Sequence, residues 1–492
     1  MREQASEIRL FRVLGEIEDK LISQALALDE RLAKRKKHIR FAAMGAAAAA
    51  AVVIAGSGLG GILAPENLLM VASAQMPEGS IYKEMEYEQR KEILNTANER
   101  NAALNGFYCD TVRTFLTGGE GNRVFSPVCV YNGLSMAAEI TDGNTRAQIL
   151  ELLGEEDIGS LRTDTKNLWL ADYRPDYTAK QITASSLWLD ESIPYKRETL
   201  DILAKDHFAS AFSGKMGSDM FDRALQGWLN NQTGGLLKKY VDKLTMKAPE
   251  GTEFPLLEIA STVNFYGKWH NKFAGSQTYT EVFHSQDGDK TCDFMHREKT
   301  EMRYFWGKKF SGGSMGFKDN GASIRFILPD EGYEPEELLN DPEAMFFISG
   351  GNFMDKENSV TDGETCGSKW LYVDLAVPKF DIAENIDLGE GLMKLGITDI
   401  FDMEKADLSP LTTLSDFLPA AAARMTSASR VMIDEEGCRA VSYIEINFNA
   451  GAAAPPDEYA ELKLDRPFLF TILTMHGQPL FTGIVRDPTI LS

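Results

Sequence analysis

The sequence predicts an α+β protein built around one large mixed β-sheet. Helix-periodic segments dominate the first half of the body and strand-like segments the second half, without a regular strand–helix–strand rhythm. With 492 residues, of which 43% are hydrophobic, the chain can bury a sizeable core in one large domain that carries appendages. No internal repeat is visible.

The N-terminal residues are expected to direct the protein to a membrane or out of the cell rather than to be part of the folded domain. Residues 1–40 are polar and end in a basic cluster, and Phe41–Ala64 then runs without a charge. This run is long enough to span a bilayer, and the basic flank places the N-terminus in the cytoplasm and the body outside. A secretory signal cleaved near Ala74 is the alternative, and both interpretations export the body. We assign residues 65–98 to a tether and 99–492 to the folded domain.

Along the body, helices come first. Apolar residues recur at helical spacing from Leu104 to Leu116, and a further helix from Asn144 ends at Gly154. Leu225, Trp228 and Leu229 mark another helix. The strands follow, at residues 324–328 and 371–377, where apolar and other residues alternate, and at residues 468–473, which are almost continuously apolar.

The charge and the cysteine pattern exclude several classes of function. A net charge of −22 repels phosphate backbones, so we expect no nucleic-acid partner. The five cysteines form no CxxC pair and the six histidines no HExxH motif. We therefore expect neither a metal nor a cofactor, and the odd cysteine count argues against a disulfide framework.

Eight blocks, in order along roughly 390 residues, resemble the serpin family. The most specific are Asp434–Gly437, which is similar to the hinge before the reactive loop, and Asp465–Phe470, which is similar to the strand that follows the loop. The other matching segments are Phe125–Pro127 with Asn144–Ile149, Trp228–Gly235, Tyr266–Trp269 with Phe273, Ile327–Gly332, Val377–Phe380, and Leu395–Phe401 with Asp407–Ser409. The resemblance implies the serpin fold, with a large mixed sheet, smaller sheets, about eight to nine helices and an exposed C-terminal reactive loop.

The resemblance also implies a function, the trapping of a serine protease as an acyl-enzyme when the loop inserts into the main sheet. The hinge residues would be Glu435, Glu436, Gly437, Cys438, Arg439, Ala440, Val441 and Ser442. Because a strand buries every second side chain, Cys438, Ala440, Ser442 and Ile444 would face inward. The protein would be an inhibitor rather than an enzyme. The alternative is a non-inhibitory surface binding protein that keeps only the fold.

The bait, the segment that a target protease would bind as a substrate, spans Glu445 to Glu461, downstream of the hinge. Counting from the hinge places the reactive-centre bond between Gly451 and Ala452, within a window that also contains Phe448, Asn449, Ala450, Ala453 and Ala454. No Lys or Arg occurs between Arg439 and Lys463, which argues against a trypsin-like target. The small residues favour an elastase-like target, and Phe448 leaves a subtilisin-like target open. A flexible Ala/Gly/Pro linker is the plain alternative for this stretch.

The resemblance further assigns a sheet-opening region, formed by Ser126, Ser261, Trp269 and Ser427, although Trp269 could simply be a core aromatic. Two other motifs are set aside. Gly56–Gly61 matches GxGxxG inside the apolar run, and Gly312–Gly316 matches GxSxG but is followed by turn residues, so we expect a hairpin.

From the resemblance and the apolar N-terminal run together, we expect a monomeric bacterial protein at the cell membrane, with a serine protease as its partner.

Overall fold

Two large β-sheets carry the helices in the computed structural model, which describes residues 68–175, 180–235, 237–241, 244, 257–319, 321–351, 366–402, 404–413, 424–438 and 458–490. All of these residues belong to one unit, Pro65–Ser492. The strands are β1 (Leu68–Ala72), β2 (Arg123–Phe125), β3 (Gln181–Asp190), β4 (Ala209–Gly214), β5 (Leu257–Phe265), β6 (Gly267–Lys268), β7 (Thr278–Ser285), β8 (Gly288–Trp306), β9 (Phe310–Gly316), β10 (Ser323–Pro329), β11 (Gly367–Pro378), β12 (Phe380–Asp387), β13 (Arg424–Ile433), β14 (Gly437–Cys438), β15 (Tyr459–Lys463), β16 (Phe468–Leu473) and β17 (Pro479–Val485). The helices are α1 (Ile81–Glu84), α2 (Tyr87–Ala103), α3 (Asn105–Leu116), α4 (Pro127–Ile140), α5 (Gly143–Leu153), α6 (Ile158–Asp172), α7 (Arg197–Asp206), α8 (Asp219–Gln232), α9 (Lys238–Val241), α10 (Pro335–Leu338), α11 (Pro342–Ile348) and α12 (Gly389–Lys394).

The first sheet, which we call the main sheet, has the strand order β1-β4-β3-β5-β13-β14-β6, and β12 pairs with the other edge of β13. Its central strand β5 is buried almost along its whole length, because helices cover both faces of the sheet. Helix α4 is buried on all sides and contacts β5, β13 and β17. Helix α8 packs Phe221, Leu225 and Leu229 against Trp188 and Ala260 of β3 and β5.

The second sheet has the order β15-β11-β8-β9-β10-β16-β17-β2, and β7 pairs with β8. The strands expected in smaller sheets join into this one network because β8 is 19 residues long and pairs with β7, β9 and β11. Helices and strands are segregated as in an α+β protein, so the predicted fold class is confirmed.

The N-terminal boundary of the fold differs from the expectation. Residues 65–98 were expected to be a tether, but Leu68–Ala72 is a strand that pairs with β4 at the edge of the main sheet, and α2 begins at Tyr87. A strand of five residues gives little periodicity to recognise in a sequence. This one forms because β4 supplies its hydrogen-bonding partner. Residues 1–67, with the expected cytoplasmic segment, membrane span and GxGxxG motif, lie outside the described residues. Within the described ranges, no helix has the length and apolar character needed to cross a bilayer.

The GxSxG motif lies in strand β9, just before the hairpin turn to β10. A Cβ atom on Gly312 would come within 2.4 Å of the Phe305 ring, and one on Gly313 within 2.5 Å of the Met302 methyl group. The glycines therefore make room for packed side chains. No helix follows the strand here, so Ser314 is not presented on a nucleophile elbow.

Candidate functional site

Strands β5 and β13 lie side by side in the main sheet but pair over only three positions. The parallel pairs are Glu258 with Arg424, Ile259 with Met425 and Ala260 with Thr426. Beyond them, residues 261–265 of β5 and 427–433 of β13 have no ladder to each other among the described residues. On their other edges, β5 pairs with β3 and β13 with β12 over most of their lengths. We call this opening between β5 and β13 the slot.

The hinge enters the slot at its open end. A tight turn follows β13, in which the Asp434 carboxylate accepts hydrogen bonds from the N–H groups of Glu436 (2.9 Å) and Gly437 (3.2 Å). Strand β14 then pairs antiparallel with Ile433 on one side and with β6 on the other. Since β6 continues the direction of β5, a chain that extended β14 would run antiparallel to β13 and into the slot.

Gly437 is required at this turn. Its φ angle is +149°, and a Cβ atom would come within 2.2 Å of the Gly267 carbonyl oxygen. The next residue, Cys438, is buried, and burial raises the pKa of its thiol to about 12. The thiol is therefore unreactive while the hinge stays in place.

Trp269 holds the turn in place through two hydrogen bonds. Its indole Nε1 donates a hydrogen bond to the Asp434 carbonyl oxygen (2.8 Å), and its backbone N–H donates to the Glu436 carbonyl oxygen (3.0 Å). The ring stacks on Phe317, with centroids 4.9 Å apart. Lys379 holds the Glu435 carboxylate at 3.1 Å. Trp269 is thus both a buried aromatic and a positioning residue for the hinge.

The closed end of the slot contains small polar groups. Ser126 caps helix α4, its hydroxyl accepting a hydrogen bond from the Cys129 N–H (3.3 Å). The Ser261 hydroxyl lies 3.1 Å from that of Ser185 on β3. Ser261 and Ser427 line a small cavity together with Cys129, whose thiol pKa burial raises to about 11.

Ser427 and Ser429 differ from Ser126 and Ser261, because their buried hydroxyls have no hydrogen-bond partner among the described residues. The structure therefore brings the predicted residues Ser126, Ser261 and Ser427 together, whereas Trp269 lies apart at the hinge. Sequence reasoning missed Cys129, Ser185 and Ser429. A signal for Ser429 existed, since it stands two positions from Ser427 on one strand face.

Comparison with known proteins decides the family. The family model described as Serpin (serine protease inhibitor) matches residues 102–488. This chain belongs to the serpin family. Serpins are in general protease inhibitors rather than enzymes.

Several relatives of this serpin are similar over most of their length. A serpin-like protein of Thermococcus kodakarensis is 24% identical over 417 residues, which cover 83% of this chain and 88% of that protein. The alpha-1-antiproteinase S of Cavia porcellus is 25% identical over 377 residues, 75% of this chain and 85% of that protein.

Solved structures agree with the fold. The native state of the thermophilic serpin tengpin superposes with a TM-score of 0.65 at 23% identity and covers 84% of this chain and 97% of that one. Serpin48 of the insect Tenebrio molitor gives 0.64 at 21% identity, covering 79% of this chain and 98% of that one.

Of the predicted hinge in this serpin, Glu435 and Glu436 lie in the turn after β13, and Gly437 and Cys438 form β14. Residues Arg439, Ala440, Val441 and Ser442 lie outside the described residues. The same holds for the reactive-centre bond between Gly451 and Ala452 and its window, residues 448–454. The described chain resumes at Glu458, immediately before β15. Among the described residues, no group of His, Cys, Asp and Glu side chains is arranged to hold a metal ion.

Proposed function

We propose that this serpin traps a serine protease of the elastase or subtilisin type as a covalent acyl-enzyme. The protease serine attacks the Gly451–Ala452 carbonyl carbon, and the peptide bond breaks with transfer of the proton to the leaving amine. The loop segment before the cut then enters the slot as an additional strand. The slot between β5 and β13 is the observation that carries this proposal.

Three features of the slot support insertion. The unpaired edges of residues 261–265 and 427–433 offer a row of backbone donors and acceptors to an incoming strand. The hinge already runs in the required direction, antiparallel to β13. The buried hydroxyls of Ser427 and Ser429 have no partner among the described residues, and an inserted strand would change their surroundings.

The side-chain alternation of the hinge also fits insertion. Cys438 is buried in the hydrophobic cluster that contains Ile433 and Val431 of β13. With a period of two, Ala440 and Ser442 would follow on the same inward side of an inserted strand, and both are small. Arg439 and Val441 would face the other side of the inserted strand, where size and charge are tolerated.

The class of target follows from the bait. A trypsin-like enzyme needs a basic residue at the cut, and the segment between Arg439 and Lys463 contains none. Alanine and glycine fit the small pocket of an elastase. Phe448 suits the larger apolar pocket of a subtilisin-like enzyme.

The test is to incubate the protein with pancreatic elastase, and in parallel with subtilisin, and to separate the products on a denaturing gel. We expect a band at the summed mass that survives boiling in detergent, and a released C-terminal peptide that begins at Ala452. Loop cleavage without that band would contradict the trap and favour a non-inhibitory binding protein. Absence of both cleavage and the band with either enzyme would contradict the proposed target class.

A pair of neighbouring variants tests the insertion step itself. Ser442→Arg places a long charged side chain on the inward side, so we expect cleavage of the loop without the covalent band. Val441→Arg adds the same side chain on the outward side and should leave trapping intact. Equal effects of the two variants would contradict strand insertion with this register.

We also propose that the N-terminal run, residues 41–64, anchors the body outside a bacterial cell membrane. The charge-free run and its basic flank support the anchor. Cleavage after Ala74, the alternative, would remove β1 and its pairing with β4. N-terminal sequencing of the protein recovered from membranes separates the two, because a start at Gln75 would contradict the anchor.

A further inference from the structure

An exposed group of aromatic side chains lies where the chain re-enters the second sheet. Trp370 and Tyr372 project from the outer face of β11, while Leu371 and Val373 between and beyond them are buried. Tyr459, the first residue of β15, stands beside Tyr372. Trp370 is 47% exposed and Tyr459 is 64% exposed. We call Trp370, Tyr372, Tyr459 and Arg303 the aromatic patch.

The aromatic patch is held in a fixed arrangement. The rings of Tyr372 and Tyr459 are stacked, with centroids 5.4 Å apart. The Arg303 guanidinium on β8 lies 5.5 Å from the centroid of the Trp370 ring. All four side chains stand on paired strands, so little conformational entropy is lost when a partner covers them. Trp, Tyr and Arg are the residue types that contribute most of the energy of protein interfaces.

The position of the aromatic patch indicates its partner. The Tyr372 N–H donates a hydrogen bond to the Glu458 carbonyl oxygen (3.1 Å), and Lys369 forms an ion pair with the Glu458 side chain. The chain that precedes Glu458 is the bait segment. Ala452, the residue after the predicted cut, is seven residues before Tyr459, a reach of at most about 25 Å when fully extended.

A protease bound to the bait has its active site within that reach of the aromatic patch. A protease domain of roughly 230 residues has a radius of gyration of about 17 Å, which corresponds to a compact body roughly 45 Å across, so the body is wider than that reach. The body of the partner can therefore contact β11 and β15 while the scissile bond is in its active site.

We propose that the aromatic patch is a second contact for the target protease, which selects it and speeds its docking before the loop is cut. This inference rests on the proposed function, since the occupant is the protease that attacks the bait. The contact acts on the encounter. It should therefore alter the rate of association and leave the partition between trapping and simple cleavage unchanged.

The experiment measures the second-order rate constant of association with elastase, or with subtilisin if elastase is not trapped. It also measures the moles of inhibitor consumed per mole of protease. We expect the double variant Trp370→Ala/Tyr459→Ala to associate about tenfold more slowly, because large aromatic side chains are the ones whose truncation weakens an interface most. The stoichiometry should stay constant. The variant Trp370→Phe/Tyr459→Phe should recover most of the rate.

Tyr87→Ala is the matched control, because Tyr87 is 63% exposed and lies at the start of α2. It should associate at the wild-type rate. An unchanged rate in the double variant, or an equal loss in the control, overturns the proposal. So does a wild-type dimer that the double variant dissociates in sedimentation velocity, since the patch would then be a contact between two copies. Failure of the wild type to form any covalent complex contradicts the proposed function instead.

Discussion

Alanine substitutions at Ser427 and Ser429 should stabilise the intact protein, whereas the same change at Ser261 should destabilise it. Ser427 and Ser429 are each 2% exposed, and their hydroxyls have no hydrogen-bond partner among the described residues. Ser261 is also buried, but its hydroxyl is 3.1 Å from that of Ser185. The three serines therefore separate the effect of an unpaired hydroxyl from that of a paired one within a single sheet.

The magnitudes follow from hydrogen-bond energetics. A buried hydroxyl without a partner costs about 1–3 kcal/mol, so its removal should increase the free energy of unfolding by up to that amount. Ser427 and Ser429 are neighbours on one strand face, so their effects need not add. Ser261→Ala breaks a hydrogen bond and leaves Ser185 unpaired, a loss of about 1–2 kcal/mol. For a body of roughly 390 residues, 1 kcal/mol shifts Tm by about 1 °C.

Two assays read the result. Differential scanning calorimetry of the intact variants gives the sign of each change, and the stoichiometry of inhibition reports on insertion. If the inserted strand supplies partners for the two hydroxyls, the Ser427→Ala/Ser429→Ala double variant gains stability before insertion and loses it afterwards. More inhibitor should then be consumed per mole of protease. Destabilisation by Ser427→Ala and Ser429→Ala, as with Ser261→Ala, would refute the reasoning, because it would mean that the hydroxyls are paired.

Three further predictions concern the hinge, a buried acid and the N-terminal strand. Gly437→Ala should displace the hinge, because no Cβ atom fits there, and the Cys438 thiol should then react with a thiol reagent much faster than in the wild type; an unchanged labelling rate would contradict this. Burial raises the pKa of the Asp172 carboxyl to about 7, against the attraction of a neighbouring arginine. The folded state therefore binds this proton more tightly than the unfolded state, and the stability that Asp172 contributes should be lost as the pH rises from about 4 to 7; Asp172→Asn should make the fall in stability over this range smaller in denaturation curves, and an unchanged pH dependence would contradict it. Removal of the residues up to Ala74 deletes β1 and the buried Val71, so the free energy of unfolding should drop by at least about 2 kcal/mol, measured against a chain that begins at Pro65; equal stability would mean that β1 contributes nothing.

Local patterns in the sequence indicated the fold class and most of the strands, because alternation and helical periodicity are properties of each segment. They could not indicate that β5 and β13 are neighbours, since the two strands lie far apart along the chain and are joined only by their lateral pairing. The resemblance to serpins supplied that information.

The N-terminal boundary was wrong for the related reason that a short edge strand such as Leu68–Ala72 depends on β4 rather than on its own composition. The roles of single residues were the hardest to predict. Trp269 could be assigned to the core or to the hinge from sequence, and it serves both, because its indole faces the core while its N–H groups reach the turn at Asp434. Gly312 and Gly313 match a catalytic motif, yet the space they leave is filled by Phe305 and Met302. Such roles depend on which side chains meet in three dimensions.

The pairing lengths in the main sheet favour the line between β5 and β13 for the proposed insertion. Strand β3 pairs with β5 over the nine positions from Gln181 to Leu189, and β12 pairs with β13 over the eight positions from Phe380 to Asp387. Among the described residues, three parallel pairs join β5 to β13, and parallel pairing is slightly weaker per residue than antiparallel pairing. The sheet therefore parts most easily along this line. The hinge glycine lies at the open end of the same line and the unpaired serine hydroxyls lie along it, so the weak pairing, the freedom of the backbone and the unsatisfied polar groups are all concentrated where a new strand would enter.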